Sequence, residues 1–378
     1  MEQPPEAATR KPRVAVVFGG RSNEHAVSCA TAGSVLRAID PARYDVVPVG
    51  IARDGRWVLE SDSSSRLAIT SSESLPEVDE SRASVVLTRA ASSSELLVQD
   101  SGSVPRTLGE VDVVFPLLHG PWGEDGTLQG LLEMAGVRYV GAGVLASAVG
   151  MDKHYMKRLF ASAGLPVLPC SVITPQQWRA DRPACVESVE SLGFPVFVKP
   201  SRGGSSIGIT KVHERAELEA AVAEAQVHDP KVIVEPAVQG AREIECGVLD
   251  GFGGNPPDAS VVAEIVVGGG HEFYDFAAKY LPEENTELDV PADVPDAVSD
   301  RIRELAVQAF QAISCEGLAR VDFFVMPDER IVVNEINTMP GFTPSSMFPR
   351  MWAASGLDYP ALVDRLIQLA LHRDTGLR

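Results

Sequence analysis

The chain has 378 residues, 45% of them hydrophobic and 22% charged, with a formal net charge of −19 at pH 7. That length predicts two or three packed domains, and the composition excludes a disordered or fibrous chain. The acidic balance, spread without long runs, fits a self-repelling surface and excludes nucleic acid as a partner on charge.

Cys29, Cys170, Cys185, Cys246 and Cys315 are widely spaced and form no CxxC pair, so reduced, buried thiols are expected rather than disulfides or a zinc site. Met1 to Arg13 lacks an apolar signal core, and the run Val14 to Phe18 is too short to span a bilayer. A cytoplasmic protein with no membrane partner is expected.

Val14 to Phe18 reads as a buried parallel strand, Gly19-Gly20-Arg21-Ser22 as the turn after it, and His25 to Ile39 as a helix capped by Ser22 or Asn23. A second strand, Tyr44 to Ile51, continues an alternation that predicts an α/β domain with an open parallel, Rossmann-like sheet. From Ser61 to Ser103 the Ser- and Glu-rich composition predicts peripheral strands and loops. Val111 to Leu118 restores an apolar strand ending in His119-Gly120, and Leu128 to Ala135 a helix. A boundary falls near Gly150. Strands follow at Pro195 to Pro200, Val232 to Glu235, Cys246 to Leu249, Ala319 to Met326 and Ile331 to Asn337, with an amphipathic helix from Val298 to Ile313.

The segment Val196 to Thr210 reads as a strand, a Gly/Ser loop and a strand, with Lys199 at the loop's entrance. Small residues let backbone amides approach phosphate oxygens, and Ser205 and Ser206 add hydroxyl donors. A Walker loop would place its lysine after the glycines and run into a helix, so the common P-loop is excluded. Taken alone, the segment fits an ordinary hairpin equally well.

The sharper constellation is Arg320-Val321-Asp322-Phe323-Phe324 with Val332-Val333-Asn334-Glu335-Ile336-Asn337, joined through the turn formers Pro327 to Arg330. With Met326 facing Ile331, Asp322 falls opposite Glu335 and Arg320 opposite Asn337, and period-two alternation turns all four to one face. Two carboxylates and an amide oxygen between apolar strands predict a cation among them, and hard oxygen donors favour magnesium completed by water and phosphate. The bland alternative, a surface hairpin with its polar residues outward, is weakened by the apolar residues at the opposite positions.

Other loops add single residues. Gly341, in Thr338-Met339-Pro340-Gly341-Phe342, offers a bare N–H that beside Arg320 suits a developing oxyanion, although Pro-Gly is more often only a turn. His119 leaves the end of a predicted parallel strand, where α/β sheets build ligand sites. Glu24 follows the first strand and could hold an ammonium group. Gly268-Gly269-Gly270 introduces a segment reaching Lys279-Tyr280, and such a loop can close over phosphates and exclude water.

Together these residues resemble the D-alanine–D-alanine ligases of the ATP-grasp fold. The resemblance runs from about Arg13 to Leu369, anchored in order at Gly19-Gly20 with Glu24, His119 to Gly130, Lys199 to Gly208, Lys279-Tyr280 and Arg320 to Met347. It implies an α/β ATP-grasp fold of three parts: an N-terminal domain over 1–150, a central subdomain over 151–245 and a C-terminal subdomain over 246–378 with a lid loop at 268–290. It also implies that D-alanine is activated by ATP as an acyl phosphate and joined to a second D-alanine for peptidoglycan synthesis.

By the same resemblance Lys153 and Lys199 would contact the ATP phosphates under Ser206 and the glycine loop, and Lys279 would reach the γ-phosphate. Glu235, Pro236, Ala237 and Val238 would form the adenine hinge, with Glu243 facing the ribose. Many relatives have lysine where Pro236 stands; proline keeps the carbonyl acceptor and lacks only the N–H donor. Asp322, Glu335 and Asn337 would hold two magnesium ions, with manganese as a substitute and a monovalent cation as an open addition. Glu24 would hold the first ammonium, Ser346 with the Met347 backbone the second carboxylate, and His119 would line the pocket. Ser205 and Tyr280 would link Glu24 to the lid, Arg320 and Gly341 would stabilise the tetrahedral oxyanion, and a homodimer would form through the N-terminal domain.

Three rivals share parts of this pattern. A D-alanine–D-lactate ligase has the same fold, and Tyr280 counts against it. Another ATP-grasp carboxylate–amine ligase would take a different acceptor. A catalytically inactive nucleotide-binding regulator is least supported, because Arg320, Asp322, Glu335 and Asn337 are all present.

Overall fold

The computed structural model describes residues 10–61, 67, 75–89, 94–100, 104–204, 207–267 and 286–376. Eight strands make the first sheet: β1 (Arg13–Gly19), β2 (Asp45–Ile51), β3 (Trp57–Leu59), β4 (Ser84–Arg89), β5 (Ser94–Gln99), β6 (Arg106–Glu110), β7 (Val113–Pro116) and β8 (Arg138–Tyr139). Their order is β6-β5-β4-β3-β2-β1-β7-β8. The expected parallel sheet is the half β2-β1-β7-β8, in which Val14 lies between Val46 and Val113. Beyond β2 the sheet turns antiparallel. The short link from Ala52 to Arg56 cannot carry a parallel crossover, so hairpins extend the sheet through the Ser- and Glu-rich stretch.

A second, antiparallel sheet holds β9 (Ser171–Ile173), β10 (Val196–Pro200), β11 (Thr210–Val212) and β12 (Val232–Pro236) in the order β11-β10-β12-β9. The helices Arg182–Glu190 and Leu218–His228 bury Val186, Val189, Leu218 and Val222 against it. The third sheet holds β13 (Arg242–Leu249), β14 (Asp258–Val267), β15 (Thr286–Asp289), β16 (Leu318–Val325) and β17 (Ile331–Asn337) in the order β15-β14-β13-β16-β17. The helix Asp296–Ala312 covers it with Ile302, Leu305, Ala306, Ala309 and Phe310, the apolar stripe its periodicity predicts.

Two connections fasten the sheets together. The helix Lys153–Ser162, capped by the Asp152 carboxylate, buries Met156 and Phe160 in the core of the third sheet. The helices Met347–Ala354 and Tyr359–Leu371 return to the first sheet, where Phe348, Leu362 and Leu366 share a core with Val14, Phe18 and Phe115. All five thiols are free, four buried and Cys170 half-buried. Among the described residues no helix is long and apolar enough to cross a membrane.

Candidate active site

The β16–β17 hairpin carries the charged centre. Asp322 pairs with Glu335 and Arg320 with Asn337, the opposition read from the sequence, although the turn is built differently. Val325, not Met326, faces Ile331, and a β-bulge between Asp322 and Phe323 absorbs Asn334 as the extra residue. Without that bulge the register set at the turn would put Asn334 opposite Asp322. With it, Asn334 and Glu335 are both half-buried, and both line the cleft.

The cations balancing these carboxylates are the protein's own, which corrects the argument that the acidic face demands a bound ion. Arg320 donates from Nε and Nη2 to the two Asp322 oxygens, each at 2.7 Å, and its Nε lies 3.2 Å from Glu245 Oε1. Burial works against the guanidinium charge, but Asp322 and Glu245 outweigh it and hold the pKa well above the arginine value. Lys153 Nζ lies 2.8 Å from Glu335 and donates to the Gly203 carbonyl at 3.1 Å, so it ties the hairpin to the glycine loop. Burial likewise opposes its charge, and Glu335 raises its pKa above the ordinary lysine value. The Asn337 amide donates to Asp322 at 3.0 Å.

A cleft of about 990 Å³, including its open mouth, lies between the second and third sheets. Lys153, Lys199, Glu243, Arg320, Asp322 and Glu335 line it, and Phe197, Ile207, Ile209, Ile265 and Phe324 give it apolar wall. Apolar wall beside clustered cations suits a ligand with a flat base and an anionic tail. Glu235 stands at the end of β12 with 3% of its surface exposed, held by Lys157 at 2.5 Å and by Lys199. Burial would raise its pKa, yet the two ammonium groups bring it down to about 2. Lys199 thus borders the cleft with its charge turned to Glu235. Of the proposed hinge, the Ala237 N–H is already used, donating to the Pro195 carbonyl at 2.9 Å, and Pro236 pairs with Val196. Val238 follows in the same non-helical link.

A second group of residues gathers below β1 and β7. Ser22 does not cap the first helix; its hydroxyl donates to the His119 carbonyl at 2.7 Å and accepts from the Glu24 N–H, and Glu24 is the N-cap residue. Glu24 is 8% exposed, and Gly120 has a φ of +75°, with room for no side chain there: a Cβ would sit 2.7 Å from Glu24 Oε2. Gly204 of the glycine loop approaches the same carboxylate, where a Cβ would lie 3.4 Å from Oε2. His119 is buried; its Nδ1 donates to the Met339 carbonyl at 3.2 Å, while Nε2 has no hydrogen-bond partner among the described residues. Burial lowers its pKa, so the ring is neutral and Nε2 is an acceptor. Glu124 accepts from the Gly120 N–H at 2.6 Å, and burial together with the nearby Glu24 charge lifts its pKa well above the usual carboxyl value. Gly341 borders Ser346, whose Oγ accepts from the Thr343 N–H at 3.1 Å and which begins the helix Met347–Ala354.

Both halves of the chain match known sequence families: residues 13–142 fit the D-ala D-ala ligase N-terminus and residues 159–368 the D-ala D-ala ligase C-terminus. A D-alanine–D-alanine ligase of Arthrobacter sp. strain FB24 is 58% identical over 369 residues, which is 97% of this chain and 96% of that one. The chain belongs to the D-alanine–D-alanine ligase family. Among solved structures, the VanG D-Ala:D-Ser ligase of Enterococcus faecalis superposes with a TM-score of 0.81 at 36% identity, over 96% of this chain and all of the other. The D-alanine–D-alanine ligase of Coxiella burnetii gives 0.78 at 35% identity, over 96% and 94%.

Within this family member the sequence-predicted residues therefore fall into two groups. Lys153, Lys199, Glu243, Arg320, Asp322 and Glu335 share the cleft, with Asn337 bonded to Asp322; outside it Glu24 lies against Gly120 and Gly204, His119 against Met339, and Gly341 against Ser346, which precedes Met347. Ser205, Ser206, Lys279 and Tyr280, with residues 268–285 of the expected lid loop, lie outside the described residues. Reading the sequence missed Glu245, Asn334 and the Lys157 partner of Glu235, and gave Glu124 no role. The alternation of Glu243 and Glu245 ahead of Cys246 was the available signal for Glu245, since β13 begins at Arg242.

Proposed function

We infer that this chain joins two D-alanine molecules into D-alanyl-D-alanine at the expense of ATP. The observation that carries the inference is the cleft with Lys153 and Arg320 beside Asp322 and Glu335, whose glycine loop also brings Gly204 against the Glu24 carboxylate. The near full-length relatives at 58% identity carry the same activity in their names.

In this reading one D-alanine carboxylate attacks the γ-phosphorus of ATP, ADP leaves, and an acyl phosphate forms. The amine of the second D-alanine attacks the acyl carbon and loses a proton, and inorganic phosphate departs. Lys153 and Lys199, with Lys279 and Ser206, hold the phosphates; Glu235 to Val238 and Glu243 hold the base and ribose. Glu24 holds the first ammonium and is linked to the lid by Ser205 and Tyr280, Ser346 and the Met347 backbone receive the second carboxylate, and His119 lines the substrate pocket. Arg320 and the Gly341 N–H face the oxyanion, where preorganised donors lower the barrier.

The donor set fits magnesium better than a transition metal, because Asp322, Glu335 and Asn337 offer hard carboxylate and amide oxygens. Two magnesium ions, or manganese, held there would neutralise phosphate charge. The division at 150 and 245, cytoplasmic residence, the homodimer and the role in peptidoglycan synthesis belong to the same proposal.

The test is ADP release from ATP measured against a panel of acceptors. D-alanine is expected to support turnover with dipeptide as product, and L-alanine is not. Predominant turnover with D-serine or D-lactate at neutral pH would move the chain to a different acceptor class, and ADP release indifferent to every amino acid would overturn the ligase reading.

A further inference from the structure

Arg320 has two carboxylates within reach, on neighbouring strands. Its clamp occupies both Asp322 oxygens at 2.7 Å, and Asp322 Oδ2 also takes the Asn337 amide at 3.0 Å. Glu245 stands opposite Asp322 across β13 and β16, and its Oε1 lies 3.2 Å from the same guanidinium. Only 3% of Glu245 is exposed, so its charge is answered inside the site and not by water. A divalent cation taken up by Asp322 therefore draws on the same carboxylate charge that holds Arg320 and weakens that hold. The guanidinium is left needing a second anion at short range, and Glu245 is already there.

We propose that Glu245 is a positioning residue that takes over the Arg320 guanidinium when Asp322 turns to a divalent cation. The proposal rests on the magnesium reading above. It gives Glu245 a purpose that substrate contact does not supply: with Glu245 in place, Arg320 keeps its position whether Asp322 faces it or the ion. Without Glu245, Arg320 and the ion compete for one carboxylate.

The experiment titrates magnesium into the full-length protein at saturating ADP and reads nucleotide binding by calorimetry. Glu245→Gln keeps the side chain's shape and one acceptor oxygen while removing the charge. Its magnesium half-saturation is expected to rise roughly tenfold, the scale of one charge-assisted hydrogen bond. In an Arg320→Met background the same change is expected to move half-saturation by less than about threefold, because the two residues act as a unit. An unchanged half-saturation in Glu245→Gln, or an equal rise in both backgrounds, overturns the proposal. So does a Glu245→Gln protein that gives no cooperative melting curve, which would make the residue structural. If the unaltered protein itself binds ADP with no dependence on magnesium, the metal reading fails first and this proposal falls with it.

Discussion

At Glu235 two ammonium groups close on one buried carboxylate, and its charge is kept at a pH where a free carboxyl would be protonated. Its folded pKa is about 2 against an ordinary 4.5, so as pH falls the unfolded chain takes up the proton first. The stabilisation is complete above about pH 4.5 and drains away towards pH 2, on the order of 3 kcal/mol. Glu235→Gln leaves Lys157 and Lys199 without their anion and is expected to cost about 3–5 kcal/mol at neutral pH. That deficit should shrink as pH falls through the window, which urea unfolding at a series of pH values would show; a deficit constant with pH contradicts the assignment. If Arg320 serves the oxyanion as proposed, Arg320→Ala should lower turnover by about 10²- to 10³-fold in a protein that still melts cooperatively. Near-normal turnover would remove Arg320 from that role. Arg320, Asp322 and Glu335 were legible as polar residues alternating with apolar ones on two adjacent strands, but the turn register that paired them was off by one, and the bulge at Asn334 restores the pairing. Glu245 was not, because its place depends on β13 lying beside β16, a pairing between segments far apart in the chain.

Among the elements, the hairpin β16–β17 shows how a turn and a site can make conflicting demands. The turn sets Val325 against Ile331, and the chemistry needs Asp322 against Glu335; one extra residue, Asn334, reconciles them. Deleting Asn334 should leave Asp322 opposite Glu335 and Arg320 opposite Asn337 in a regular ladder, so the variant is expected to keep a cooperative thermal transition. It should weaken nucleotide binding through loss of the cleft's amide and of the local twist. A variant that fails to fold would mean that Asn334 is needed for the ladder itself. Strand alternation exposed most of the parallel half-sheet and this hairpin from sequence alone. It did not expose the antiparallel extension β3 to β6, where short apolar fragments acquire strand character only by pairing with a neighbour. The cap of the first helix was misread for a similar reason: the Ser22 hydroxyl goes to the His119 carbonyl, a partner brought close only by the fold.

Across the whole molecule, the site depends on segments from both ends of the chain held in one body. Phe115 of β7 meets Phe342 edge-on at 6.2 Å, and Tyr44 donates to Asp364 at 2.6 Å, so the loop that carries His119 and the turn that carries Gly341 are fixed against each other. Light scattering is expected to give twice the chain mass; a monomer at working concentration would contradict the proposed dimer. In the proposed reaction a carboxylate held near Glu24 takes up the γ-phosphoryl group of a nucleotide held near Lys153 before the second amine displaces that group as inorganic phosphate. D-alanine labelled with ¹⁸O in its carboxylate tests this most directly, by mass analysis of the phosphate released during turnover with ATP. One labelled oxygen in each phosphate is the predicted result, because the attacking carboxylate oxygen leaves with the phosphoryl group. Phosphate free of label, with dipeptide still forming, would contradict the acyl phosphate route.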